Sequence, residues 1–322
     1  SSNDEYIVME NRFVSASIDV SKGTLTVFDK RANRIAVRDG NQFTMFDDVP
    51  LFWDAWDVEF YHLNKPAKVN LPSSVSIKER GHLRVSVEIV TPITDKSTIT
   101  QHIQLTAVSP RIDFVTHVSW HEDYKILKAQ FPTTVRANDT TYEVQFGHVT
   151  RPNHRNTSWD WARFEVHGQR WADISEYNYG VALLNDCKYG YSCLDNVLNL
   201  SLLRAPKAPD DQCDMGDHHF TYALLPHLGS FQASGVIQEA YNVNIPLIVK
   251  PTTATGLALD TTHSFISVNT PQVVVESVKR AEDSKQIVVR LYECYGGSVT
   301  NVQLTLAKRA QSVKRCNLLE EP

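Results

Sequence analysis

The sequence predicts an all-β protein, an antiparallel sandwich followed by a smaller β-sandwich domain. Three observations carry that expectation. Apolar and polar residues alternate with a period of two in segment after segment, turn-forming residues separate the segments, and no long segment shows a helical stripe. Taken in order, "RFVSASIDV" at 12–20 and "KGTLTVFDK" at 22–30 read as two strands about a turn at Ser21–Gly23. In "HLRVSVEIV" the apolar Leu83, Val85, Val87 and Ile89 share one face, with Arg84, Ser86 and Glu88 on the other. "TQHIQLTAV" repeats the pattern with Ile103, Leu105 and Ala107, and "RIDFVTHVSW" with Ile112, Phe114, Thr116 and Val118. Such alternation is what antiparallel sheets with one solvated face produce, and two of them packed together form a sandwich. Residues 250–262, "KPTTATGLALDTT", break the pattern with Pro, Gly and Thr. New strands follow in "HSFISVN", "QVVVESVKR", "KQIVVRLYEC" and "NVQLTLA". The expected division is therefore 1–250 for the large domain and 251–322 for a smaller, truncated one.

Composition narrows the function classes. A chain of 322 residues suits a large β domain plus a small one. With 42% hydrophobic and 21% charged residues it is globular. Its net charge of −5 comes without basic clusters, so nucleic acid and anionic membrane are poor partners. Runs such as "IPLIV" at 245–249 are far too short to span a bilayer, and no signal peptide opens the chain. Five widely spaced cysteines with no CxxC pair favour reduced thiols and a cytosolic origin, and argue against a cysteine zinc site. Three N-x-S/T sequons, at Asn138, Asn156 and Asn199, are read as chance or as serving another purpose. The start "SSNDEYIVMEN", lacking an initiator methionine, and the end "CNLLEEP", lacking a cap, both look cut from something longer.

One stretch carries unusual chemistry. "NTSWDWARFEVHGQRWADISE", residues 156–176, holds three tryptophans beside Asp160, Arg163, His167, Arg170 and Asp173. Tryptophan faces stack on the apolar C–H face of a pyranose, while Asp, Asn and Arg hydrogen-bond adjacent hydroxyls. "FWDAWDVEFYH" at 52–62 repeats the mixture with Trp53, Asp54, Trp56, Asp57 and His62. The plain alternative is that the tryptophans fill the inter-sheet core and the charges sit at sheet rims. "DMGDHHF" sets His218 and His219 beside Asp214 and Asp217, which invites a metal. Adjacent histidines on a strand point to opposite faces, so ordinary hydrogen-bonded histidines are the better reading. Arg204, just before the proline-stiffened "APKAP", is placed to reach a ligand or to make a rim salt bridge. Carboxylate pairs for glycoside hydrolysis can be drawn in many ways and none stands out. No nucleophile elbow, phosphate loop or dinucleotide fingerprint occurs.

Five segments in series then point to a family. "FWDAWDVEFYH", "EVQFGHVTRPNHRNTSWDWARFEVHGQRWADISE", "YGVALLNDCKYGY", "LSLLRAPKAPD" and "HHFTYALLPHLGSF" together closely resemble the C-terminal β region of the class II α-mannosidases, glycoside hydrolase family 38. The match is to the cytosolic and fungal vacuolar branch and covers essentially the whole chain. The resemblance implies a galactose-mutarotase-like supersandwich and a retaining exo-α-mannosidase trimming mannose from oligosaccharides, in the cytoplasm or, in a fungus, the vacuole. It also implies that zinc, which grips the sugar hydroxyls, and the carboxylate nucleophile belong to an N-terminal catalytic domain. No catalytic residue and no metal ligand is then expected in this chain, and the isolated chain is expected to be inactive. The sandwich packs on that domain, and the full-length enzyme is expected to be a homo-oligomer. Arg204, His167, Arg170, Trp171 and Asp173 are the substrate-proximal residues carried over by motif. On this reading 156–176 is a sugar-proximal surface held by buried tryptophans. The alternatives are a free-standing carbohydrate-binding module and a mutarotase-like epimerase acting through His and Glu; fold alone does not decide among them.

Overall fold

A computed structural model describes residues 5–251, 253 and 262–322. Two compact units divide the described residues: 5–144 with 149–246, and 145–148 with those of 247–322. The sequence break expected at 250–262 lies largely outside the described residues.

The larger unit is built from three antiparallel sheets. Tyr6–Glu10, Val14–Asp19, Leu25–Asp29 and Arg34–Gly40 form a four-stranded meander. A nine-stranded sheet runs, edge to edge, through Gly147–Pro152, Asp139–Val144, Trp171–Glu176, Tyr179–Asn185, Gly216–Leu228, Ile112–Trp120, Thr98–Thr106, Arg84–Thr91 and Ser74–Arg80. Facing it, a six-stranded sheet runs through Val166–His167, Gly190–Leu194, Val197–Arg204, Lys125–Pro132, Gln42–Asp47 and Pro66–Ala67. The alternation read from the sequence sets the inner face. Ile112, Phe114, Thr116 and Val118 are all buried, and Phe114 meets Phe131 of the opposing sheet with ring centroids 5.6 Å apart. Ile103, Leu105, Val87 and Ile89 extend the same layer, and one hydrophobic core draws on all three sheets. Leu83 departs from its expected face: it precedes the strand Arg84–Thr91 and is exposed.

The outer face of the nine-stranded sheet is not bare everywhere. A helix, Val236–Asn244, lies against Trp171–Glu176, Tyr179–Asn185 and Gly216–Leu228. It buries Val236, Ile237 and Ala240, three inward residues over barely two turns, which is too short a stripe to stand out in the sequence. Beneath it Ala182, Leu184, Ala223 and Leu225 are buried on the face that an isolated sandwich would leave wet. Phe231 closes on Trp171, with centroids 4.9 Å apart.

In the smaller unit Ile266–Val268 pairs with Leu304–Leu306, and Val273–Arg280 with Ile287–Glu293, both antiparallel. All five cysteines are free thiols. Among the described residues no helix is long and apolar enough to cross a membrane.

Candidate functional site: an aromatic face on the larger unit

The two tryptophan-rich stretches, about a hundred residues apart in sequence, meet in space. Phe60, in the short 3-10 turn Phe60–Asn64, packs edge-on against Trp161 at 6.0 Å and Phe164 at 6.3 Å, and His62 lies 6.0 Å from Phe164. Around this seam Phe52, Trp53, Trp56, Tyr61, Trp159 and Trp161 are all exposed, Trp159 to 76% and Trp53 to 67%. So many exposed rings on two segments that meet are uncommon on a monomer surface and mark a place where something else packs or binds.

Local chemistry holds each stretch. The single-turn helix Ser158–Trp161 opens on a capping box: Asp160 N donates to Thr157 Oγ1 at 3.2 Å and Thr157 N to Asp160 Oδ2 at 3.0 Å. Arg155 lies over the Trp161 ring at 4.8 Å. The other stretch turns at Trp53, whose φ of 63° is left-handed, so that Trp56 N and Asp57 N both reach its carbonyl.

Arg204 anchors that turn. Its Nε donates to the buried Asp48 carboxylate at 2.6 Å, and one terminal nitrogen donates to the carbonyls of Asp54 at 3.0 Å and Asp57 at 2.8 Å. The guanidinium fork thus ties the end of the strand Val197–Arg204 to the loop that displays Trp53 and Trp56. Trp120 Nε1 donates to the Arg204 carbonyl at 2.9 Å, fixing the backbone from behind.

Under the rings lies a buried polar cluster. Lys128, 2% exposed, reaches Glu165 at 2.5 Å, and Ser201 Oγ donates to the other oxygen of that carboxylate. His62 is buried beside it, with Nδ1 2.7 Å from the Glu59 carbonyl and Nε2 without a hydrogen-bond partner. Burial, and then the Lys128 charge, hold its pKa below the usual imidazole value. Nothing in the sequence pointed to Lys128. It sits in "KILKAQFP", where Ile126, Leu127, Lys128 and Ala129 are buried in succession and alternation is lost.

The other residues carried over by motif do not gather at this face. Trp171 is 1% exposed and belongs to the small core under the helix, so it parts company with Trp159 and Trp161. Of the three tryptophans expected to be buried in 156–176, only Trp171 is; Trp159 and Trp161 are exposed. Arg170 chelates Glu143, with a shortest contact of 2.7 Å, and stacks over Tyr241 at 3.9 Å. Burial pushes the Glu143 carboxyl up from its ordinary range, against the pull of Arg170. Asp173 is buried, its Oδ2 2.6 Å from His227 Nε2 and its Oδ1 accepting from Ser175 Oγ at 2.5 Å. His167 is exposed in the two-residue strand Val166–His167, and its carbonyl accepts from Arg151 at 2.8 Å.

A zinc ion does not fit the residues described here. Among them no group of three or more His, Cys, Asp or Glu is arranged to hold a metal. His218 bonds the Asp214 carbonyl at 2.8 Å, whereas His219 stacks on His117 across the strand pair at 4.4 Å.

Comparison with known proteins decides the family. The sequence model described as "Glycosyl hydrolases family 38 C-terminal domain" matches residues 9–212, and "Glycosyl hydrolases family 38 C-terminal beta sandwich domain" matches 272–322. The chain belongs to glycosyl hydrolase family 38. Among family 38 relatives it is 46% identical to mouse alpha-mannosidase 2C1 over 326 residues, covering 99% of this chain and 31% of the relative. It is 36% identical to an alpha-mannosidase of Saccharomyces cerevisiae over 343 residues, covering 96% and 31%. The solved structure of an alpha-mannosidase from Enterococcus faecalis superposes with a TM-score of 0.80 at 20% identity, over 98% of this chain and 39% of that one. At that identity the likeness establishes the fold. The family 38 chain spans about a third of the length of the curated relatives it matches.

Proposed function

We propose that this chain is the C-terminal β portion of a retaining exo-α-mannosidase that releases terminal α-linked mannose from oligosaccharides. One observation carries the reading: nearly the whole chain aligns with proteins named alpha-mannosidase, yet it accounts for only 31% of their length. The nucleophile and the zinc site then lie in the part that this chain does not include. The exposed aromatic face is the surface that packs on that part, and Arg204 sets the position of the loop at its rim. Arg170, Trp171 and Asp173 act away from this face, holding the helix-covered side of the nine-stranded sheet. The full-length enzyme acts in the cytoplasm, or in the vacuole if fungal, as a homo-oligomer.

The test compares full-length protein with the 322-residue chain on an aryl α-mannoside. The full-length enzyme turns over and loses activity to a chelator; the chain alone shows none. Chelator-resistant turnover by the pure chain would overturn the assignment. The exposed Trp53, Trp56 and Trp159 favour one competing reading, a carbohydrate-binding module. It predicts saturable binding of manno-oligosaccharide by the chain alone, with loss in Trp53→Ala and Trp159→Ala.

A further inference from the structure

We infer that a cleft at the junction of the three sheets, on elements separate from the aromatic face, binds one hexose unit of a neutral oligosaccharide. The cleft holds about 370 Å³, within the range of small-ligand sites. Thr24, Asp39, Gln42 and Asn70 offer it polar groups, and Phe43 and Leu71 offer apolar ones. A sugar ring needs this mixture, donors and acceptors for hydroxyls beside a surface for its C–H face.

Three features make it a built site and not a crease. Thr24 is 8% exposed, yet its Oγ1 has no hydrogen-bond partner in the protein. A buried hydroxyl left unsatisfied is unfavourable unless a ligand or water completes it. Next, the turn that supplies Asp39 and Gln42 is strained: Asp39 and Asn41 have φ of 46° and 61°, in the left-handed region. Gly40 between them has no room for a side chain, since a Cβ there would lie 2.4 Å from Val37 Cγ1. Finally, a buried polar network holds that turn in place. Asn41 Nδ2 donates to Gln101 Oε1 at 2.6 Å, Tyr222 OH donates to Asn41 Oδ1 at 2.6 Å, and Gln101 Nε2 donates to Thr116 Oγ1 at 2.9 Å. Such a network fixes one conformation at a cost in desolvation, the arrangement expected where geometry matters. The strain is thus clamped from the core and displayed at the cleft.

Charge selects the ligand class. Lys22, the one cation on the lining, lies 3.5 Å from Asp19, and Asp39 shares the lining with it, so a phosphate or carboxylate would find no surplus of positive charge. A neutral polyol suits the balance. The choice of mannose as probe rests on the function proposed above; the existence of the site does not.

The experiment labels full-length protein with a methyl α-mannoside carrying a diazirine and maps cross-links by peptide mass spectrometry. Labelling is expected within 39–43 and 69–72, saturable and displaced by methyl α-mannoside. It should drop about tenfold in Asn70→Ala and in the isosteric Thr24→Val. Asp39→Asn, which tolerates the left-handed backbone, guards against misfolding and should weaken labelling as well. Aryl α-mannoside turnover should be unchanged in all three. Absence of labelling in these peptides, or equal labelling in the variants, overturns the site. Labelling displaced by another hexose, in a protein without mannosidase turnover, upholds the site and overturns the proposed function instead.

Discussion

His227 Nε2 and Asp173 Oδ2 meet at 2.6 Å over the bare backbone of Gly180. In the register of the nine-stranded sheet Gly180 lies between Ser175 on one side and His227 on the other. A Cβ at Gly180 would come within 2.2 Å of Ser175 Oγ and 2.4 Å of His227 Cε1. The missing side chain is what lets an imidazole lie flat across a strand and satisfy a buried carboxylate one strand further on. A buried charge without such a partner is strongly unfavourable.

Gly180→Ala should therefore destabilise the fold by about 2–4 kcal/mol, overpacking added to a broken buried hydrogen bond. Asp173→Asn keeps the volume and should lose only about 1–2 kcal/mol. Urea unfolding of the two variants checks the order; a neutral Gly180→Ala would show that the imidazole does not need the gap.

Arg204→Ala should destabilise by about 2–3 kcal/mol, because it strands the buried Asp48, with allowance for the partial exposure of the guanidinium. Arg204→Lys should recover little, since an ammonium cannot reach Asp48 and two loop carbonyls as a planar fork does. In the full-length enzyme, at a temperature where the variant stays folded, we expect kcat/KM to fall about ten- to a hundred-fold as the anchored loop loses its position. Full activity beside a lowered Tm would confine Arg204 to holding the fold.

The aromatic face gives an optical prediction. Of six tryptophans, Trp53, Trp56, Trp159 and Trp161 are exposed, and Trp120 and Trp171 are buried. Acrylamide quenching of the isolated chain should be biphasic with a dominant accessible fraction. In the full-length protein that fraction should shrink. An unchanged accessible fraction would mean that this face is free in the complete enzyme.

His62 supplies a pH dependence. Burial lowers its folded pKa from the 6.5 of the unfolded chain, so the unfolded state takes up the proton first as pH falls. Stability from this group is full above about pH 6.5 and is lost as pH falls from there toward the depressed folded pKa. The charges facing the ring, Lys128, Glu165 and Asp48, are kept in His62→Phe, which preserves the packing on Phe46 and Phe164. Unfolding measured from pH 7.5 to 5 should show a shallower loss of stability in the variant. An equal slope would assign the acid sensitivity to other groups.

The sequence by itself determined the β class, the inner faces of the central strands and the family. Each of these is written in short-range pattern: alternation over five to nine residues, or motifs in series. It also marked both tryptophan-rich stretches as unusual. Only the tertiary structure decided which tryptophans face solvent, because Trp159 and Trp171 carry the same local signal. Trp171 stands on the outer face of a strand, and it is buried only because Phe231 and the helix Val236–Asn244, some sixty residues onward, fold over that face. Lys128 with Glu165, His227 with Asp173, and the clamp of Arg204 on the 48–57 loop are likewise pairings between distant segments. Alternation reports whether a residue points toward one side of its sheet. What covers that side is settled by contacts across the chain, and those are made only when the sheets close.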